Sequence, residues 1–161
     1  MAELSAINTS PLIFLTKGGF TDLLLLVSPS IIVPSAVAAE IDAYGSTDVT
    51  AVALNSIDWL VVQETPPVPN VIQNWDLGIG ESAVLTWGYV NPKTEVILDD
   101  LAARRCAATL GIPSRGTLGI VITAKQRGII PAARPVLEQL CLCGMYLSNR
   151  VINQALALVG E

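Results

Sequence analysis

Short β-branched runs alternate along this chain with longer, mixed stretches, and turn residues separate the two kinds. Residues 4–8 predict a first strand, and Thr9-Ser10-Pro11 signals entry into a helix, since proline suits a first helical turn. A short apolar helix is predicted over residues 20–27, after the Gly18-Gly19 break. Ile31-Ile32-Val33 reads as a buried strand, and Pro34 begins a helix that carries Glu40 and ends near Tyr44-Gly45. A helix over 47–55, a strand over 59–63 and the turn Pro66-Pro67-Val68-Pro69 follow. Gly78-Ile79-Gly80 leads into a helix from Glu81 to about Val90, then come a strand over 95–98 and a helix over 100–110. Ile112-Pro113-Ser114 is a short fifth strand, and Gly116 opens a helix that reaches about Arg127. Residues 131–143 and 148–159 form two closing helices. Strands this short and apolar are buried on both faces, which implies a parallel sheet covered by helices on each side. The expectation is an α/β fold: a three-layer α/β/α domain with four to five short parallel strands, single over residues 1–161. No repeat, low-complexity tract or linker divides it.

The chemistry concentrates where strands end. Val96-Ile97-Leu98 stops at Asp99-Asp100, and a helix pattern starts at once with Leu101. In open parallel sheets, ligands bind at the carboxyl ends of strands. Adjacent carboxylates there repel each other, and a hard divalent cation relieves them. The alternative is a helix start, because Asp caps free backbone N–H groups and favours the dipole. Three further positions fall at comparable junctions: Asn8, Glu40 and Glu81. Glu40 is a lone carboxylate in an Ala-rich helical context, whereas Glu81 also suits a first-turn position in its helix.

Composition narrows the classes. Hydrophobic residues make up 52% of the 161 and charged residues 14%, so the surface is short of charge and a second copy or partner is expected to cover part of it. The uncharged stretch between Asp22 and Glu40 is too short and too broken by Pro29 and Pro34 to span a membrane. With no basic signal region after Met1, a soluble cytoplasmic protein is expected. Histidine is absent, which excludes Ser-His-Asp and Cys-His catalysis and His-ligated zinc within one chain. Three cysteines, Cys106, Cys141 and Cys143, cannot build a disulfide framework or a four-thiolate zinc site and read as buried apolar thiols. The net charge of −5 is unevenly spread: residues 1–100 carry 2 basic and 12 acidic side chains, residues 101–161 carry 7 and 2. Such an acidic protein is a poor general nucleic-acid binder, yet a basic rim beside an acidic pocket suits a phosphodiester.

Taken in order, five segments resemble the PIN-domain family. They are Ile7-Asn8-Thr9-Ser10-Pro11-Leu12-Ile13, Val33-Pro34-x-x-Val37-x-x-Glu40-Ile41 and Leu77-Gly78-x-Gly80-Glu81, then Leu98-Asp99-Asp100-x-x-Ala103-Arg104, and last Gly116-Thr117-Leu118-Gly119 with Ala124-Lys125-x-x-Gly128-x-Ile130-Pro131. The set spans nearly the whole chain and is similar to a subgroup of short prokaryotic proteins, VapC-like toxins among their relatives. The resemblance implies a metal-dependent ribonuclease similar to the toxin half of a toxin–antitoxin pair, holding Mg²⁺ or Mn²⁺ on a cluster of acidic residues. By position, Asn8 matches the first acidic site, Glu40 the second, Glu81 the third and Asp99/Asp100 the fourth. Ser10 matches a hydroxyl that orients water.

Asn8 departs from that pattern, since an amide oxygen ligates Mg²⁺ without adding charge. The implied mechanism is in-line attack by metal-activated water, which needs no histidine. Arg104, Arg105, Arg115 and Lys125 are the candidates for holding RNA phosphates; for Arg104 the alternative is a helical ion pair with Asp100. The implied partners are an RNA substrate and a small antitoxin, with no membrane contact. A homodimer or higher oligomer is expected, through the closing helices and the apolar region of residues 14–26. A silent PIN-like interaction module is the second reading. A phosphate-transfer receiver is a third, but it lacks the early acidic pair and late lysine that such a domain needs.

Overall fold

The computed structural model describes residues 3–161. Its centre is a five-stranded parallel sheet in the order β3-β2-β1-β4-β5, built from β1 (Leu4–Ile7), β2 (Ile31–Pro34), β3 (Leu60–Gln63), β4 (Thr94–Ile97) and β5 (Ser114–Arg115). β2 is buried at all four positions, as a strand covered on both faces must be, while edge strand β3 leaves Val62 and Gln63 exposed. The chain lays down β1, β2 and β3 in one direction, then crosses to place β4 and β5 on the other side of β1. The carboxyl ends of β1 and β4 therefore flank the point where the strand order reverses, the crevice in which open α/β sheets bind ligands.

The helices are α1 (Thr9–Gly18), α2 (Ser35–Asp42), α3 (Val49–Ser56), α4 (Asn70–Gln73), α5 (Ile79–Val90), α6 (Leu101–Thr109), α7 (Thr117–Gln126), α8 (Arg134–Leu142) and α9 (Asn149–Ala157). α5 packs on β1, β2 and β4 with α2 and α6 beside it, while α1 and α7 both pack against α8. This is the three-layer α/β/α PIN-like arrangement expected. Ile7, Leu12, Leu15, Ile31, Leu85, Ile97 and Ile120 are fully buried in one continuous core. Among the described residues no helix is long and apolar enough to cross a membrane.

Several elements differ from expectation for local reasons. The segment read as a short helix over 20–27 is a 3-10 helix (Thr21–Leu26), squeezed between left-handed Gly19 and the Ser28-Pro29 turn. The fifth strand starts at Ser114 because Pro113 has no N–H to donate; it contributes only its carbonyl, to Val96 N–H at 2.9 Å. The first closing helix begins at Arg134 rather than residue 131, and Glu161 accepts from the N–H groups of Ala133 (2.7 Å) and Arg134 (3.1 Å) at its start. These bonds hold the Glu161 carboxyl below its ordinary range. Cys106 is fully buried, and burial pushes its thiol up. Cys141 and Cys143, expected to be buried, are only partly so, and all three thiols are free.

Candidate functional site

Asn8 follows β1 directly, and its N–H donates to Ile97 O at 3.0 Å, which locks it beside the end of β4. It precedes α1 as the cap residue, yet its side chain makes no capping bond. Asn8 is 4% exposed and its Oδ1 has no hydrogen-bond partner. A buried amide oxygen left alone carries an uncompensated desolvation penalty, so such atoms are rare and call for a partner.

Across the strand-order reversal lie the paired aspartates, which do different work. Asp99 accepts from Thr117 N–H at Oδ1 and from Thr117 Oγ1–H at Oδ2, both at 2.7 Å. Thr117 is buried at the first position of α7, so the carboxylate is fixed by two neutral donors and by a helix N-terminus. Asp100 is the N-cap of α6, accepting from Ala103 N–H at 2.9 Å through Oδ2. The cap reading thus holds for Asp100, while Asp99 is tied to the start of α7, 18 residues away.

Glu81 stands in the first turn of α5, with its carboxylate folded back over Gly78. Glu40, on α2, accepts from Thr9 Oγ1–H at 2.5 Å. A Cβ built on Gly80 would stand 2.8 Å from Glu40 Oε1 and 3.0 Å from Asn8 Oδ1, so both oxygens crowd over the first turn of α5. A side chain at position 80 would push the Glu40 carboxylate aside.

Asn8, Ser10, Glu81, Asp99, Asp100 and Arg104 line one groove of about 550 Å³. Glu40 is not at its wall; it lies behind, on the Gly80 side of Asn8. The carboxylates approach less closely than the expected cluster: among the described residues no three Asp, Glu or Cys side chains gather tightly enough to cage an ion by themselves. The reason is visible in the bonds above, which tether Asp99, Asp100 and Glu40 to separate donors. None of these carboxylates, nor Glu81, makes an ion pair among the described residues, where the pairs are Lys17–Asp48, Glu95–Arg115 and Lys125–Glu161.

The basic candidates divide sharply. Arg104 lines the groove with its guanidinium against Gly116, and no ion pair with Asp100 forms. Arg105, one residue on, is exposed and outside the groove. Arg115 lies in register with Ile97, but its side chain runs back along the sheet to Glu95 Oε1 at 2.5 Å and to Thr123 Oγ1 at 3.2 Å. Lys125 donates to Pro131 O at 2.7 Å and faces Glu161. Arg105, Arg115 and Lys125 do not line the groove: two are committed to other partners and one faces solvent.

Sequence reasoning also passed over residues that matter here. Thr9 and Thr117 orient Glu40 and Asp99; the signal was a hydroxyl residue placed where a helix begins. The groove also has an apolar wall, made by Phe14, Leu118, Met145, Tyr146, Leu147 and Val151. Comparison with known families gives one finding: the family model DUF3368, described as a PIN domain, matches residues 5–161. No curated protein matches the chain.

Proposed function

We propose that this chain, which belongs to the PIN-domain family of nuclease-type proteins, is a metal-dependent endoribonuclease centred on the groove between β1 and β4. One observation carries the reading: Asn8, whose Oδ1 is buried without a hydrogen-bond partner among the described residues, lines a groove whose carboxylates form no ion pair among those residues. A divalent cation supplies what both lack. The donors are all oxygens, the set that hard Mg²⁺ or Mn²⁺ prefers, and Mg²⁺ needs only one or two carboxylates beside its waters and a substrate phosphate. Asn8 with one or two of Asp99, Asp100 and Glu81 would hold the ion, with Glu40 adding charge from behind Gly80.

When bound, such an ion supplies Lewis-acid charge at the scissile phosphate and lowers the pKa of water there. The chain's own residues position everything else. Thr117 presents Asp99, Thr9 presents Glu40, and the α6 cap bond presents Asp100, so each carboxylate is oriented before substrate arrives. Ser10, exposed at the groove, orients the attacking water, and Arg104 takes a phosphate oxygen.

We read the protein further as the toxin half of a toxin–antitoxin pair, restrained by a small antitoxin and assembled as a homodimer or higher oligomer. The exposed Ile79, Leu142 and Leu158 support an associating surface. The test is cleavage of single-stranded RNA by antitoxin-free chain across a Mn²⁺ titration. Activity should rise with Mn²⁺, and Asn8→Asp should raise it most at low ion concentration. If wild type and Asn8→Asp both leave RNA intact at every Mn²⁺ concentration, the chain is an interaction module instead.

A further inference from the structure

The apolar wall of the groove has no part in holding an ion, yet it shares one continuous space with the carboxylates. Its most exposed member is Tyr146, at 88%. The loop that carries it is not loose. Met145, on one side, is 7% exposed and donates its N–H to Leu140 O at 3.1 Å. Leu147, on the other, packs against the core, and Ser148 then caps α9 by accepting from Val151 N–H at 3.2 Å. Tyr146 is thus held out between two anchors, lining the same groove as Val151, Asp99 and Asp100.

We infer that this wall is a stacking shelf for one unpaired nucleobase next to the scissile phosphate, with the ring of Tyr146 as its floor. The inference rests on the nuclease reading for the identity of the ligand. Three observations favour a base over a side chain of a protein partner. The groove is acidic and Arg104 is its single cationic lining residue, so backbone phosphates gain little from it and affinity must come from a neutral, flat group. A strand whose phosphate sits at Asp99 and Asp100 brings a flanking base into the same groove, where most of the remaining lining is apolar. The volume, about 550 Å³, accommodates a nucleotide rather than a helix. Double-stranded RNA keeps its bases stacked and offers none, so the shelf takes a base only where the strand lets it splay.

The experiment compares two eight-nucleotide single strands of equal charge, one of RNA and one carrying abasic sites, binding to the full chain with Ca²⁺ replacing Mg²⁺. Anisotropy should show wild type preferring the strand with bases by about tenfold, the scale of one aromatic–base stack. Tyr146→Ala should erase that preference and Tyr146→Phe should keep it; circular dichroism confirms that neither alters the fold. Equal affinity of wild type for both strands overturns the shelf. So does a preference that survives Tyr146→Ala, or a Tyr146→Ala change that weakens only a co-expressed small protein. The outcomes separate from the nuclease reading: RNA cleavage without base preference removes the shelf alone, and base preference without cleavage removes the nuclease alone.

Discussion

On one flank of the sheet, Glu95 and Arg115 neutralise each other at 2.5 Å, with Thr123 taking a further guanidinium N–H. At the carboxyl ends of β1 and β4, Glu40, Asp99 and Asp100 meet only neutral donors: Thr9, Thr117 and a backbone amide. Both regions bring carboxylates near a strand; Glu95 in the first and Asp99 in the second are partly buried, while Glu40 and Asp100 are exposed. Hydroxyl and amide donors fix where a carboxylate points without cancelling its charge. The first region spends its charge on the fold, and the second keeps it for something that arrives later.

Variants that break this contrast should show graded effects. Asp99→Asn removes charge at the best-held carboxylate, and RNA cleavage in Mn²⁺ should fall by about a hundredfold or more; Thr117→Val, which keeps the charge and loses its orientation, should cost about tenfold in ion affinity. A Thr117→Val enzyme as active as wild type at limiting Mn²⁺ would show that orientation is irrelevant. Next in size is the ion's effect on stability. At about a hundred times its Kd, Mn²⁺ should stabilise the chain by about 2.7 kcal/mol, or roughly 5–10 °C in Tm. Asn8→Asp should lower Tm without metal, by adding an anion beside Glu40, and enlarge the metal-induced rise.

Arg115→Ala sharpens the comparison from the other side. It should lower Tm by about 2–4 °C, the scale of about 1 kcal/mol for a partly exposed pair, and leave the Mn²⁺-induced rise unchanged. A smaller rise in that variant would tie Arg115 to the groove after all. The smallest effect concerns acid. The folded chain holds the Glu161 carboxyl below its ordinary value of 4.5, so its contribution is present above that pH and is lost as pH falls through the depressed value. Glu161→Gln should therefore be less stable than wild type at neutral pH, with the difference shrinking below pH 4.5 in chemical denaturation.

The acidic positions and the parallel sheet were readable because each leaves a local trace. A fully buried strand is a continuous apolar run, as Ile31-Ile32-Val33 is, and a strand-end carboxylate interrupts such a run, as Asp99 does. The direction of Arg115 left no such trace. It is decided by Glu95, 20 residues earlier on the neighbouring strand, and only the register of β4 with β5 makes them neighbours. The division of labour between Asp99 and Asp100 was equally hidden, since adjacent identical residues differ only in which donor each can reach. Tyr146 was invisible for a third reason: an aromatic residue in a loop reads as core until the burial of Met145 beside it is known.

Gly80 bears on how relatives of this chain should be compared. Its missing side chain is the space that Glu40 Oε1 and Asn8 Oδ1 share. Two homologous chains with the same acidic residues, one with glycine and one with alanine at this position, would look alike to any search for carboxylates. Their oxygens would nonetheless be set differently, because a methyl group would stand where the two now meet. Drift at a residue with no chemistry of its own would be enough to shift the Glu40 carboxylate relative to the Asn8 amide.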